Sequence, residues 1–147
     1  QMYNLIPNLT AVENVELPLI YRGVSRSVRQ ELSREALKKV GLEHRMDHKP
    51  SEMSGGQQQR VAIARAIAQA PPVILADEPT GNLDSNSTKE IMDILKGLHN
   101  EGRTVILITH DNDIAAQAKR VIKIKDGKVE SDSGQIVPVE ELQTAGA

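Results

Sequence analysis

The sequence of this 147-residue chain predicts an α/β fold with parallel strands. Two continuous apolar runs, at residues 73–76 and 104–109, alternate with segments of helical periodicity. A strand that is apolar at every position is typical of a parallel sheet covered on both faces. The dipeptide Asp126-Gly127 lies between two further β-rich runs and is a strong hairpin signal. Strands that alternate with helices, followed by a hairpin, indicate the α/β class.

The composition excludes several classes of function. Hydrophobic residues make up 39% and charged residues 26% of the chain, which predicts one compact soluble domain. Tyr3 and Tyr21 are the only aromatic residues, so nucleic-acid binding by base stacking is not expected, and a net charge of −2 gives no general attraction to nucleic acid or anionic lipid. The absence of cysteine excludes disulfides and cysteine-ligated zinc. No apolar run approaches the roughly 18 residues of a membrane span.

Capping-box patterns predict the first two helices. Thr10 and Glu13 are spaced so that each side chain can satisfy the other's backbone N–H group, and the helix that begins there is expected to be limited by Pro18. Ser27 and Gln30 form a second such pattern. The apolar stripe of that second helix comprises Val28, Leu32, Leu37 and Val40, and Gly41 is suited to its C-terminal cap.

Two histidines follow the second helix. His44 and His48 have a spacing that would allow a metal site, but Pro50 and the lack of a third ligand favour a surface loop.

A serine and two glycines precede the most apolar helical segment. Residues 57–70 are apolar most of the way round, which predicts a buried helix that Pro71 ends. The free N–H groups and positive dipole end of such a helix attract an anion, the Ser54 hydroxyl adds a donor, and Gly55 and Gly56 let a phosphate come close. A serine-capped helix after a flexible turn is the alternative interpretation.

Two carboxylates, Asp77 and Glu78, stand at the end of the first predicted strand, where open α/β sheets bind ligands. An apolar strand that ends in two carboxylates suits the handling of phosphate and a metal ion. The alternative is that both acids cap the next turn, at residues 81–84.

A capping box at Ser87 and Glu90 then predicts a helix whose apolar stripe comprises Ile91, Ile94, Leu95 and Leu98.

The remaining elements are shorter. The second predicted strand ends at His110-Asp111, and a helix is expected at about residues 113–119. The hairpin strands are predicted at residues 121–125 and 128–131, and the tail from Gly134 is expected to be a linker or a short capping helix.

These motifs, in this order, resemble those of an ABC-type ATPase over nearly the whole chain, and most closely ATPases of the lipoprotein-releasing and macrolide- or peptide-exporting type. Residues 53–60 resemble the signature sequence, with Met53 where leucine is commoner, and residues 73–78 resemble the Walker B strand. The resemblance implies a partial P-loop NTPase core with parallel strands. It places a helical signature subdomain at about residues 10–70, a Walker B to H-loop core with the hairpin at 71–133, and a tail at 134–147.

The resemblance also implies residue roles. The signature residues Ser54, Gly55, Gly56 and Gln57 would bind ATP held by a partner subunit. Asp77 would hold Mg²⁺ and Glu78 would be the catalytic base.

Three further positions match the family's motifs. His110 resembles the switch histidine, which contacts the γ-phosphate, and Asp84 resembles the D-loop aspartate, which couples the two subunits' sites. Gln1 fits the Q-loop glutamine, which lies near Mg²⁺ and the attacking water and senses the membrane partner.

The phosphate-binding loop G-x-x-x-x-G-K-[ST] does not occur in these 147 residues, because the only Gly-Lys pair, Gly127-Lys128, lacks the rest of the pattern. Together with the non-methionine first residue, this predicts an N-terminally truncated piece of a longer protein. In the family's fold the strand that carries this loop lies between the strands at 104–109 and 121–125. We therefore expect a chain without ATP turnover of its own, whose unpaired strand edges favour self-association or rearrangement.

The resulting hypothesis is an ATP-binding and ATP-hydrolysing subunit of an ABC transporter. It would form a homodimer with a second ATPase subunit and power integral membrane permease subunits from the cytoplasmic face of the cell membrane, with ATP and Mg²⁺ as cofactors and without nucleic acid. One alternative is a non-transport ABC ATPase, which a coiled-coil insertion or a basic patch would favour. Another is a non-enzymatic module that presents the signature in trans.

Overall fold

The computed structural model describes residues 3–134. The chain divides into two compact units between Ile108 and Thr109. Its helices are α1 (Ala11–Tyr21), α2 (Arg26–Lys39), a 3₁₀ helix (Pro50–Glu52), α3 (Gly55–Ile67), α4 (Ser85–Asn100) and α5 (Asn112–Ala115). Its strands are β1 (Val73–Asp77), β2 (Thr104–Ile108), β3 (Ile122–Lys125) and β4 (Lys128–Asp132). The α/β class with a C-terminal hairpin is confirmed.

Helices α1, α2 and α3 pack on one another in the first unit, and α4 packs on α3 and β2. The core between them is aliphatic, as the near absence of aromatic residues requires. Its most deeply buried apolar side chains are Leu37, Leu42, Ile91, Val15, Val40 and Val61.

Helix α1 begins where the sequence predicts and ends later. The Glu13 N–H donates to Thr10 Oγ1 at 3.3 Å, and the Thr10 N–H donates to Glu13 Oε2 at 2.7 Å, so the capping box is confirmed. Pro18 lies inside the helix, which continues to Tyr21, so the prediction that Pro18 limits it is wrong. A proline removes only one main-chain donor from a helix. The extra turn is stabilised because Leu19 is buried in the core.

Helix α2 starts two residues earlier than predicted. Ser25 is the N-cap residue and Ser27 lies in the first turn, so the capping box expected at Ser27 is wrong. Val28 is 46% exposed, and the buried face is instead formed nearer the C-terminus, at Ala36, Leu37 and Val40. Gly41 closes the helix with φ +69°, as predicted.

Helix α3 is buried on one side only. Ala66 is exposed and Ala62 half-buried, so the prediction of burial all round is wrong. These small side chains face a groove of about 480 Å³ between α3 and α1. The groove is lined by Leu17, Pro18, Tyr21, Ala62, Arg65, Ala66, Gln69 and Pro71. The helix also ends at Ile67, three residues before the predicted end at Ala70.

Strands β1 and β2 form a parallel pair in which Val73 aligns with Thr104 and Asp77 with Ile108. The expectation that both faces of this sheet are covered is wrong for residues 3–134. Ile74 is 6% exposed whereas Leu75, on the opposite face, is 72% exposed. Helix α4 packs against β2, and within the described chain Leu75 has no element over it.

Asp84, rather than the predicted Ser87, caps helix α4, which therefore starts three residues earlier than the Ser87 capping box implied. Ile91, Leu95 and Leu98 of the predicted stripe are buried, but Ile94 is only half-buried and Met92 is buried in addition.

The second unit contains α5 and the hairpin. Helix α5 is shorter than the predicted 113–119, and Asp111 caps it by accepting from the N–H groups of Asp113 and Ile114. The hairpin is confirmed, with φ of 50° at Asp126 and 74° at Gly127. The predicted tail lies outside the described residues apart from Gly134.

The loop at residues 43–49 agrees with the surface-loop interpretation of the two histidines. His48 Nε2 lies 2.9 Å from Arg45 Nη1, and His44 is exposed. Between residues 3 and 134 there is no cluster of three His, Cys, Asp or Glu side chains suited to a metal ion. None of the helices described is long and apolar enough to cross a membrane.

Candidate nucleotide site

The turn at residues 54–57, here called the signature turn, opens helix α3 with a complete capping box. The Gln57 N–H donates to Ser54 Oγ at 3.2 Å, and the Ser54 N–H donates to Gln57 Oε1 at 3.0 Å. Ser54 itself is exposed, and its hydroxyl hydrogen remains able to donate. The N–H groups of Gly55 and Gly56 lie in the first turn and so have no partner within the helix. The turn is thus both a serine-capped helix start and a surface suited to an anion.

The two glycines of the signature turn have a packing role that sequence reasoning missed. A Cβ added at Gly56 would lie 2.6 Å from Ser87 Oγ and 2.8 Å from Ser87 Cβ. A Cβ added at Gly55 would lie 2.8 Å from Tyr3 Oη and 3.5 Å from Leu83 Cδ2. Close packing therefore favours glycine at position 56, whether or not a phosphate also approaches, whereas at position 55 the Tyr3 side chain could shift to make room.

Asp84 is connected to the signature turn by Ser87, which bonds to Asp84 and packs against Gly56. Its carboxylate accepts from the N–H groups of Asn86 and Ser87, both at 3.0 Å, and from Ser87 Oγ at 2.7 Å. The Ser87 hydroxyl and N–H groups, with a smaller contribution from the Asn86 N–H, lower the pKa of Asp84. The structure thus brings Asp84 and the signature turn together, with Ser87 between them.

Asp77 and Glu78 end strand β1 as predicted. The Glu78 N–H donates to the Ile108 carbonyl at 2.9 Å, which extends the pairing with β2 by one residue. Glu78 then adopts φ 45°, a left-handed conformation that costs a non-glycine residue roughly 1–2 kcal/mol. Strain of this kind clusters at functional sites. The exposed Asp77 carboxylate suits Mg²⁺, which usually binds one or two carboxylates and keeps several waters.

The two remaining predicted site residues are His110 and Gln1. His110 is exposed and belongs to the second compact unit, immediately before the Asp111 cap of α5. Gln1 lies outside the described residues, so its predicted role is untested by the structure.

Two further residues hold the segment before α1 in place and were not found from the sequence. Asn14 is fully buried in α1 and makes four hydrogen bonds to the main chain of residues 6–10. Arg65 in α3 donates to the carbonyl oxygens of Tyr3 and Asn4. The signal for Asn14 in the sequence was a polar residue among the apolar residues of its helix. No signal in the sequence indicated the contact of Arg65 with Tyr3, because it joins distant parts of the chain.

Comparisons with known proteins agree with this geometry. The family model described as "ABC transporter" matches residues 1–81, which is more than half of the chain. The chain is 56% identical over 135 residues to macrolide export ATP-binding/permease protein MacB 2 of Aeromonas hydrophila, covering 92% of this chain and 21% of that protein. A MacB protein of Hahella chejuensis is 50% identical over all 147 residues, which make up 22% of its length. The chain thus spans about a fifth of the length of the curated relatives it matches.

Two solved structures are also similar. A dimeric bacterial ABC transporter cassette has a TM-score of 0.77 at 51% identity, covering 90% of this chain and 59% of that one. The post-hydrolysis state of an ATP-binding cassette dimer, bound to ADP and Pi, has a TM-score of 0.75 at 50% identity with the same coverage. With the order of signature turn and Walker B strand end described above, these matches show that the chain belongs to the ABC transporter family and has the fold of an ATP-binding cassette.

Proposed function

We propose that this chain contributes two half-sites to an ATP-hydrolysing subunit that drives a membrane exporter. The observation that carries the proposal is the signature turn, a helix start with an exposed serine, two glycines and a complete capping box. Such a turn presents main-chain N–H groups to an anion without an opposing charge of its own. It suits the phosphates of ATP held by a second subunit.

The other half-site faces the chain's own nucleotide. Asp77 at the end of β1 would hold Mg²⁺, and Glu78, whose backbone is left-handed, would accept the proton of the attacking water as that water bonds to the γ-phosphorus and ADP leaves. When bound, Mg²⁺ neutralises charge on the phosphate oxygens. As in the family that the chain resembles, His110 would contact the γ-phosphate and Gln1 would act near the metal and the attacking water. The family match over residues 1–81 supports the roles of Gln1, Asp77 and Glu78. The role of His110 is supported by its place in the sequence just after a parallel strand.

The partners follow from the same reasoning. One relative is described as a dimeric cassette, and the proteins of Aeromonas and Hahella are described as ATP-binding/permease proteins. We propose that this chain acts in a homodimer joined to permease segments at the cytoplasmic face of the membrane. Macrolides, or molecules of similar size, are the class of cargo that these relatives suggest.

The role of Glu78 is tested by Glu78→Gln in the full-length protein. The substitution keeps the size of the side chain and removes the base, so ATP turnover should fall roughly 10²- to 10⁴-fold while Mg-ATP binding persists. Glu31→Gln, at an exposed position on α2, is the matched control and should retain the wild-type rate. Turnover that is unchanged in Glu78→Gln would show that another group is the base.

The signature turn is tested by a substitution that separates capping from anion binding. Aspartate is as good an N-cap residue as serine, so Ser54→Asp should preserve the fold. Its negative charge would repel phosphate, so ATP-driven dimerisation in the Glu78→Gln background should be lost. Ser54→Thr keeps both the cap and the hydroxyl and should dimerise. Light scattering that detects equal dimerisation of Ser54→Asp and Ser54→Thr would refute the assignment.

A further inference from the structure

The segment that follows Gln1 is held by a side chain of the signature helix. Arg65, near the C-terminal end of α3, donates from Nη1 to the Asn4 carbonyl at 2.7 Å and from Nη2 to the Tyr3 carbonyl at 3.2 Å. Burial lowers the pKa of the Arg65 guanidinium, which is consistent with its position against this segment. Asn4 has φ 49°, a left-handed conformation in which the chain turns sharply beside the guanidinium.

The Tyr3 side chain connects the same segment to the other end of α3. Its hydroxyl lies against Gly55, where an added Cβ would be only 2.8 Å away. Gly55 and Arg65 are ten residues apart, which is about 15 Å along a helix. Helical side chains point back toward the N-terminus, so Arg65 and Tyr3 together span this distance along one side of α3.

A second helix fixes the rest of the segment. The buried Asn14 accepts from the Ile6 N–H at 2.8 Å and donates from Nδ2 to the carbonyls of Ile6, Leu9 and Thr10 at 3.0–3.2 Å. The segment from residue 3 to residue 10 is therefore tied to α1 and α3 through main-chain atoms at both of its ends.

We propose that Arg65 and Tyr3 are positioning residues that make the segment after Gln1 and the signature turn one rigid unit. A displacement of this segment is then carried to Gly55 through the Tyr3 ring, and a displacement of the turn is carried back. The inference rests on the proposed function only for the identity of the ligand at each end of the unit. The rigidity of the unit depends only on the contacts described above.

Amide hydrogen exchange in the full-length protein tests the rigid unit. Arg65→Met keeps an apolar stem and removes the donors. It should speed exchange of the Ile6 and Gln57 N–H groups roughly tenfold or more, because charge-assisted hydrogen bonds are among the stronger ones. The Glu101 N–H, which donates to Gly97 in α4, should exchange at its wild-type rate. Arg65→Lys, which keeps the charge, should restore part of the protection.

Two matched controls separate this effect from a general loss of stability. Arg60→Met removes an arginine of the same helix that contacts Val40 instead, so the Ile6 amide should be unaffected. Tyr3→Phe should speed exchange at Gln57 alone, while Tyr21→Phe, at a side chain that is 87% exposed, should change neither amide. Exchange that rises equally at Ile6, Gln57 and Glu101 in Arg65→Met, or a rise at Ile6 in Arg60→Met, would overturn the proposal.

A functional measurement then distinguishes this inference from the proposed function. In the Glu78→Gln background, Arg65→Met should raise the Mg-ATP concentration needed for half-maximal dimerisation tenfold or more, and Tyr21→Phe should leave it unchanged. An unchanged concentration in Arg65→Met would overturn transmission to the signature turn. If the parent Glu78→Gln protein itself fails to dimerise with Mg-ATP, the proposed function fails, and the exchange experiment still decides whether the unit is rigid.

Discussion

Alanine at position 56 would force the start of α3 away from the start of α4. Its Cβ would lie 2.6 Å from Ser87 Oγ and 2.8 Å from Ser87 Cβ, closer than real Cβ contacts. The serine oxygen can rotate away only by giving up its 2.7 Å hydrogen bond to Asp84, and the Ser87 Cβ cannot move without the backbone. Overpacking of this kind costs about 1–3 kcal/mol, against a helix-propensity gain of at most about 1 kcal/mol.

We therefore expect Gly56→Ala to lower the free energy of unfolding by roughly 1–2 kcal/mol, measured by urea denaturation of the full-length protein. Gly55→Ala should cost less, because its added Cβ meets the far end of a tyrosine side chain. Gly97→Ala is the matched control: nothing lies within 4 Å of its added Cβ, so it should stabilise α4 by up to about 1 kcal/mol.

A double-mutant cycle isolates the contact. Ser87→Gly removes both atoms that an alanine at position 56 would meet, so Gly56→Ala should be less destabilising in that background by about 1 kcal/mol or more. A Gly56→Ala protein as stable as the wild type, or a coupling energy near zero, would refute the packing argument and leave phosphate approach as the reason for glycine.

Three further predictions concern other parts of the chain. Asn14→Ala leaves the Ile6 N–H and three carbonyls without their buried partner and should destabilise the protein by about 3 kcal/mol in the same assay; a loss below about 1 kcal/mol would contradict it. Arg120 and the Gly134 N–H lower the pKa of Asp132 from 3.8 to about 2, so the hairpin contribution of this carboxylate should be complete above about pH 4 and be lost as the pH falls toward 2; an NMR titration midpoint near 3.8 would contradict this. The 147-residue chain by itself, without a G-x-x-x-x-G-K-[ST] loop, should show no ATP turnover, and micromolar Mg-ATP affinity by calorimetry would count against that.

Local patterns in the sequence predicted much of the structure. The capping box at Thr10, the Gly41 helix end and the Asp126-Gly127 hairpin each depend on residues within a few positions of one another, and all are confirmed. Asp84 and Ser87 show the limit of this reasoning. Both are good N-cap residues, and only the turn before them decides which one opens α4.

Other features depend on distant neighbours. The contact of Gly56 with Ser87 and that of Arg65 with Tyr3 join residues far apart in the chain, so no spacing rule indicates them. The apolar run of β1 predicted burial on both faces, but an apolar sequence shows only that a strand can be covered. Whether it is covered depends on the surrounding elements, and Leu75 is exposed because no described element lies over it.

The hydrogen bonds of Asn14 have a consequence for sequence variation. All four of its partners are main-chain atoms, so they are present whatever side chains residues 6–9 carry. The shape of this loop is encoded in a helix outside it. Substitutions within the loop should therefore alter the surface that it offers to a partner without altering its path between residue 6 and α1.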